Sequence, residues 1–456
     1  MFENKKILIL GMARSGYEAA KVLAKHNNRV IITDMKDQNE DHLKELKDLG
    51  VEFIKTDDPT DLLNETFDYL IKNPGVKIDH PLVLKAIKLN IPVTNEVEVA
   101  YSLFPKNIKI IAITGSNGKT TTTTMIYEIL KRAKLSVLLG GNIGFPVCSL
   151  VEIVKENDIL VLEISSHQLH DMKNFKANIS IITNLSPVHL DHFGTYENYK
   201  KQKFKIFNNQ TDKETAILNK ENNDVMAGIN NINAKKLYFS IKEKSDCYLK
   251  ENTIIYNNEE IIKTNEITVK GNHNYENAMC AIMVAKQLNV SNDVIKEFFK
   301  EFKGVEHRIE FVRELNGVKY YNDSKATNTE STIIALSSFN IPTILLLGGL
   351  DRGHSFEPLL PYMKNVKCIL TYGETKKRIK HFAIQNNFQV YEYGTLKECV
   401  EKAKEISEKN DVVLLSPACA SLDQYESFEQ RGEDYKKCVN TLWCLHYIYV
   451  FDWNLT

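Results

Sequence analysis

The sequence predicts an α/β protein of three domains, at residues 1–100, 101–304 and 305–456, each a mainly parallel sheet with flanking helices. Three observations predict it. The chain has 456 residues, 43% of them hydrophobic, enough for a large core and too many for one compact domain. Short β-branched apolar runs alternate with stretches whose apolar residues recur at helical spacing, the pattern of parallel strands joined by crossover helices. Polar or glycine-rich loops follow those runs on their carboxyl side, where open parallel sheets hold ligands.

In the first domain Lys6 to Leu10 reads as a buried strand, Gly11 to Gly16 as a glycine turn, Tyr17 to Lys25 as a helix and Arg29 to Thr33 as a second strand ending at Asp34. This is half of a dinucleotide-type fold, with Ala13 where the fingerprint has its second glycine and Asp34 where a ribose-binding acid sits. On these residues the turn is open between nucleotide binding, a structural role and NAD. Phe67 to Ile71 is a further strand, followed by the loop Asn73-Pro74-Gly75; Pro92 to Pro105 leads to the next domain.

The central domain states a chemistry. The strand run Ile108 to Ile113 and the helical recurrence of Met125, Ile126, Ile129, Leu130 and Ala133 flank Thr114-Gly115-Ser116-Asn117-Gly118-Lys119-Thr120-Thr121. Strand, glycine loop and helix form a phosphate cradle, in which backbone N–H groups and the helix dipole face an anion. Lys119 would neutralise the outer phosphates and Thr120 would bind Mg²⁺. Ile113 stands where the usual motif has its first glycine, so the loop is a short variant turned at Gly115.

Ile159 to Glu163 is a buried strand ending in a carboxylate, open between a Mg²⁺ partner and a helix cap. Strand Ile179 to Thr183 precedes a loop with His189, Asp191 and His192; no cysteine or remote histidine pair supports zinc there, and a Mg²⁺ ligand plus a helix cap is the reading. On the helix Tyr196 to Phe207 the stripe Tyr196, Tyr199, Lys203, Ile206 sets Lys203 on an apolar face, either as a snorkelling stem or as a buried functional amine. Gly271 to Asn277 precedes a helix from Ala278 to Leu288, its amides placed to cap that helix or to bond a base.

The third domain shows strands at Val318 to Tyr321, Thr343 to Leu347, Val366 to Thr371 and Asp411 to Leu415, each followed by a polar turn. Net charge is -1, which excludes an overall basic field for nucleic acid or an anionic membrane. Eight cysteines without a Cys-x-x-Cys pair point to reduced thiols in a cytoplasmic protein. The N-terminus reads as a first strand, not a signal peptide, and Leu442 to Trp453 is too short to span a bilayer.

Together, Thr114 to Thr120, Gly141-Asn142-Ile143-Gly144, Glu163 with Ser165-Ser166, His307-Arg308, Asn322 to Asn328 and Ser416 to Gln424 resemble the Mur ligases of peptidoglycan synthesis, from Gly11 to Gly432. The third-domain loops are similar to those of members that add D-glutamate. The resemblance implies a Rossmann-like first domain for a UDP substrate, a P-loop ATPase-like centre and a Rossmann-like third domain for an amino acid. It implies a monomeric, ATP-dependent amide ligase that joins D-glutamate to UDP-N-acetylmuramoyl-L-alanine through an acyl phosphate, with two Mg²⁺ ions. ATP would lie on Gly115, Ser116, Asn117, Gly118, Lys119, Thr120 and Thr121, with Asn274, Arg308 and Asp323. Thr120, Glu163, His189 and a carbamylated Lys203 would hold the metal, and Lys119, His189 and Lys203 would be catalytic.

The UDP substrate would meet Arg14, Ser15, Asp34, Lys36, Gly75 and Asn142, and D-glutamate would meet Thr327, Arg352, Ser421 and Phe428. Three places depart from the family pattern: Arg352 stands where some relatives have lysine, Tyr425 where phenylalanine is common, and the aromatic tail after Thr441 has no counterpart. The rival readings are another Mur-family or folylpolyglutamate-type ligase, a nucleotide-regulated switch, and an NAD oxidoreductase.

Overall fold

The computed structural model describes residues 2–187 and 193–443, which form two compact units, Met1–Phe302 and Lys303–Thr456. In the first unit β1 (Lys6–Leu10), β2 (Arg29–Asp34), β3 (Glu52–Lys55), β4 (Tyr69–Lys72) and β5 (Val93–Thr94) make an all-parallel sheet in the order β3-β2-β1-β4-β5. β1 lies at the centre because Ile7 to Leu10 are buried on both faces. The helix after it begins at Arg14, not at Tyr17, so Arg14 and Ser15 form its first turn and Gly16 lies inside it. A Cβ at Gly16 would stand 2.0 Å from the Gly11 carbonyl. That glycine serves close helix-strand approach rather than a turn.

The same unit holds a second sheet: β6 (Lys109–Thr114), β7 (Val137–Gly141), β8 (Ile159–Glu163), β9 (Ile179–Ile182), β10 (Thr215–Asn219), β11 (Lys235–Ser240), β12 (Cys247–Lys250), β13 (Thr253–Tyr256) and β14 (Glu259–Lys263). Their order is β14-β13-β12-β11-β10-β9-β6-β8-β7, parallel except for the last two pairings at the β14 edge. Burial of Ile110 to Ile113 and Leu160 to Leu162 on both faces puts β6 and β8 side by side in the interior. The helix expected over Tyr196 to Phe207 ends at Phe204 and tightens into a 3₁₀ turn. The one expected from Ala278 already begins at Asn272, since Gly271, at φ +103, makes the entry turn one residue earlier.

The stretch Pro92 to Pro105 is a packed joint between the two sheets. Asn95 caps the helix Glu96–Leu103 and donates to the Gln168 carbonyl at 2.6 Å. The Glu98 carboxylate accepts from the N–H groups of Lys173, Asn174 and Phe175 at 3.3, 2.6 and 3.1 Å. Glu96 accepts from Cys148 N at 2.9 Å, and burial raises its pKa to about 7.

The second unit carries β15 (Glu310–Leu315), β16 (Val318–Asn322), β17 (Thr343–Gly348), β18 (Val366–Tyr372), β19 (Val390–Glu392) and β20 (Val412–Leu415), ordered β15-β16-β20-β17-β18-β19. All pairs are parallel except β15 with β16. No helix among the described residues is long and apolar enough to cross a membrane.

Removing the Glu98 carboxylate strands three N–H groups at the joint. Glu98→Ala is expected to lower the unfolding free energy of this unit by about 3 kcal/mol in urea titration. Glu152→Ala, at the exposed pair with Lys25, should cost under about 1 kcal/mol. Equal small losses would contradict the role given to the joint.

Candidate active site

β6 delivers its last residue, Thr114, into the glycine loop. Gly115 has φ +144, and a Cβ there would stand 2.0 Å from Thr183 Oγ1. Asn184 holds the next two residues: its carbonyl accepts from Ser116 N at 2.8 Å and its Oδ1 from Asn117 N at 3.0 Å. Thr183 Oγ1 donates to the Asn117 carbonyl at 2.6 Å. Ser116 Oγ lies 2.9 Å from the Tyr199 hydroxyl and 3.1 Å from the Ser186 carbonyl. The loop is therefore set from behind by β9's exit segment. Gly118, at φ +78, opens the helix Lys119–Arg132, and a Cβ on it would meet Asn277 Oδ1 at 2.4 Å. Lys119 Nζ curls back onto the carbonyls of Gly115 and Ser116 at 3.0 and 2.8 Å. Thr120 is the next residue, in the first turn of a helix whose N-terminal N–H groups and dipole favour an anion.

Beside this loop stand two buried groups of opposite charge type. Glu163 ends β8 with 1% exposure; Oε1 accepts from Asn142 Nδ2 at 2.8 Å, and Oε2 has no hydrogen-bond partner among the described residues. The cap of the following helix is Ser165, in a reciprocal pair with Gln168, so Glu163 is not needed there. Lys203 is 2% exposed, which settles that its stem does not snorkel. Its Nζ donates to Thr114 Oγ1 at 3.0 Å and lies 5.4 Å from the Tyr199 ring centroid. Burial drives the Lys203 pKa well below the ordinary lysine range; the Lys119 ammonium pushes the same way and Glu163 opposes it. A buried carboxylate oxygen without a partner among the described residues, on the strand paired with the one that leads into the Thr120 loop, is a donor that fits a hard divalent cation. His189 lies outside the described residues.

The first sheet's carboxyl edge holds a cavity of about 610 Å³ lined among others by Gly11, Thr33, Asp34, Gly75, Val76, Lys77 and His80. Asp34 there accepts from Met12 N at 2.7 Å and Lys36 N at 2.9 Å, bracing the turn with one oxygen and its own loop with the other. Asp34 and Gly75 thus share the cavity. Arg14 and Ser15 sit in the helix's first turn, where Arg14 donates to the Gly144 carbonyl at 2.9 Å. Gly144 follows Asn142, which bonds Glu163. A continuous chain of contacts therefore runs from the first helix to the edge of the phosphate loop.

In the second unit Asp323 is fully buried, accepting from Ser416 Oγ at 2.8 Å and Ile309 N at 3.2 Å; burial raises its pKa to about 7 against the pull of Arg308. Ser421 is buried, Thr327 half-buried and Arg352 exposed. Phe428 opens the helix Phe428–Thr441 with the Lys325 ammonium 5.5 Å from its ring centroid. Arg431, fully buried, spends its guanidinium on Ser324 Oγ and carbonyl at 3.0 and 2.8 Å and on the Cys419 carbonyl at 3.1 Å. It ties together two of the loops given to the amino acid. The acidic group Glu306, His307 and Glu433 already holds the Lys436 ammonium, 2.7 Å from Glu433 and 3.2 Å from Glu306.

Residues 5–95 match the N-terminal domain of MurD-like Mur ligases, 113–285 the Mur ligase middle domain, and 307–419 the glutamate ligase domain of Mur ligases. The UDP-N-acetylmuramoylalanine–D-glutamate ligases of Bacillus mycoides (strain KBAB4) and Bacillus anthracis (strain A0248) are each 41% identical over 445 residues, 97% of this chain and 98% of theirs. The chain belongs to the Mur ligase family. As a Mur ligase it shares its fold with UDP-N-acetylmuramate-alanine ligase of Thermotoga maritima (TM-score 0.58, 20% identity, 95% of this chain and 98% of that one). It also shares it with the MurF ligase of Thermotoga maritima solved with ADP (TM-score 0.57, 17% identity, 96% and 95% covered).

Within this Mur ligase, the first unit brings together Gly115 to Thr121, Asn142, Glu163 and Lys203. Arg308, Asp323, Thr327, Arg352, Ser421 and Phe428 belong to the second unit. Asn274 turns to the Lys270 carbonyl at 2.9 Å, and it is Asn277, one helical turn on, that meets Gly118 and bonds Thr122 Oγ1 at 3.1 Å. Arg431 escaped the sequence reading, and Asn277, Asn184 and Tyr199, which it met only as part of an amide stretch, a loop and a helix stripe, were not assigned to the phosphate loop. The amide spacing of Asn274 and Asn277, three apart on one helix face, was the available signal for Asn277.

Gly118→Ala should leave the circular dichroism spectrum unchanged and weaken ATP binding by about 100-fold in calorimetry, because a side chain in this backbone conformation must push Asn277 aside. Unchanged affinity would contradict the cradle.

Proposed function

We propose that this Mur ligase joins D-glutamate to UDP-N-acetylmuramoyl-L-alanine at the expense of ATP, as a cytoplasmic monomer whose residues 1–100, 101–304 and 305–456 bind the UDP substrate, ATP and the amino acid. The observation that carries the chemistry is Lys203, a buried amine bonded to the strand residue that opens the phosphate loop. Full-length similarity to D-glutamate-adding ligases supports the substrates.

ATP is seated by Gly115 to Thr121, with Lys119 leaving its loop carbonyls to meet the outer phosphates. Thr120, Glu163 through its orphaned Oε2, His189 and Lys203 as its carbamate are the residues to hold Mg²⁺, which supplies Lewis-acid stabilisation of charge on the transferring phosphoryl group. Burial favours the uncharged form of the Lys203 amine, and it is the uncharged amine that adds CO₂: the nitrogen lone pair forms the N–C bond, a C–O π pair moves to oxygen and one proton leaves, giving an anionic carbamate. That anion would offer oxygens to a cation, which a lysine ammonium would repel. Asn142 fixes Glu163 from the substrate side.

The carboxylate of the UDP substrate attacks the γ-phosphorus and ADP leaves, giving an acyl phosphate. The amine of D-glutamate then attacks the acyl carbon, a proton is lost and phosphate departs. Thr327, Arg352, Ser421 and Phe428 are the residues proposed to seat the amino acid, Arg352 offering a fork to a carboxylate. Asn274, Arg308 and Asp323 complete the proposed ATP set. Arg14, Ser15, Asp34, Lys36, Gly75 and Asn142 are assigned to the UDP substrate, with the 610 Å³ cavity as the place for its uridine end.

Purified protein with ATP, Mg²⁺ and the UDP substrate should release phosphate with D-glutamate and lose that activity in EDTA. Release with L-lysine or L-alanine but not D-glutamate would overturn the substrate assignment. Lys203→Ala should lower kcat by about 1,000-fold or more, with partial recovery in millimolar acetate or formate. Full activity without added acid would overturn the carbamate.

A further inference from the structure

The joint between the first two sheets holds a buried ion pair that the phosphate site does not use. Lys72 ends β4 and Asp171 ends the helix Ser166–Asp171, with side chains 1% and 5% exposed and Nζ 2.9 Å from Oδ2. The same ammonium donates to the Val76 carbonyl at 3.0 Å. Asp171 Oδ1 lies 2.7 Å from His170 Nδ1, and the Asp171 carbonyl accepts from Thr94 Oγ1 at 3.1 Å.

Burying an ion pair gains little stability over an apolar pair of similar volume. What the ammonium does that a methionine could not is hold a particular carbonyl and a particular carboxylate together. Val76 closes the turn Asn73–Val76, bonded N to O across it at 3.0 Å, and Gly75 and Val76 line the cavity of the first sheet. A Cβ on Gly11, which also lines that cavity, would meet Asn73 Cβ at 3.0 Å, so the turn passes close against the end of β1. On the other side Asp171 lies on the helix that leaves β8 directly after Glu163. One side chain is bonded to the wall of one site and to the helix leading from the other.

We propose that Lys72 and Asp171 are a positioning pair for the nucleotide substrate, holding the Asn73–Val76 turn at a fixed height against the Glu163 edge. The inference rests on the assignment of the first-sheet cavity to the UDP end of the substrate.

The double variant Lys72→Met with Asp171→Leu removes both charges and so strands neither. Its KM for UDP-N-acetylmuramoyl-L-alanine should rise about tenfold or more, while KM for ATP and for D-glutamate and kcat stay within about twofold. Unchanged constants, or a uniform change in all of them, would make the pair a structural strut only and overturn the proposal. Should the variant fail to fold, hydrogen exchange of the wild-type protein decides. With the phosphate loop filled by a non-hydrolysable ATP analogue, added UDP should slow exchange in residues 73–76 and also in 168–172. Protection confined to the first sheet would overturn the pair's role. Turnover of wild-type protein with D-glutamate, run alongside, tests the substrate assignment separately.

Discussion

A lysine with its amine in a dry interior and one hydroxyl to bond is the constraint on which this site turns. Lys203 is held to Thr114, the residue at which β6 becomes the phosphate loop, so the loop's origin and the amine cannot move independently. Desolvation and the nearby Lys119 both work against its charge, and among the described residues Glu163 opposes them. A protein that wanted a structural cation here would supply a carboxylate in direct contact. The arrangement instead buries an amine whose charge is disfavoured within electrostatic reach of a carboxylate whose Oε2 has no hydrogen-bond partner among the described residues.

Around that pair the backbone is set by neighbours distant in sequence. Thr183 and Asn184 fasten the loop from behind, Asn277 walls Gly118, and Asn142 orients Glu163 while its own loop receives Arg14 from the first sheet. The joint of Asn95, Glu96 and Glu98 holds the two sheets of the first unit in fixed relation, with three carbonyl- or amide-directed side chains in place of a flexible linker. In the second unit Arg431 plays the corresponding part, spending a buried guanidinium on loop carbonyls rather than on a carboxylate.

Much of this was legible in the chain itself. The runs that became β1, β6, β8 and β17 are buried on both faces, and continuous apolar character announces such strands. The phosphate loop was legible because its residue order states its chemistry. The position of Lys203 on an apolar stripe was legible too, but a stripe cannot distinguish an emerging stem from a buried amine; only burial does. Arg431 could not be read, since it sits in a helix of polar residues and its partners are a hundred positions away or in another loop. The helix starts at Arg14 and Asn272 were misplaced because glycine suggests a turn, whereas Gly16 serves close packing and Gly271 lies one residue before the helix. β15, an antiparallel edge strand of mixed polarity, carried no period strong enough to register.

The central claim is that Lys203 is a neutral amine that takes up CO₂, and carbon-13 magnetic resonance tests it directly. Protein equilibrated with ¹³C-bicarbonate should show one carbamate resonance that is absent in Lys203→Arg and persists after free bicarbonate is diluted. Identical spectra for the two proteins would contradict the account.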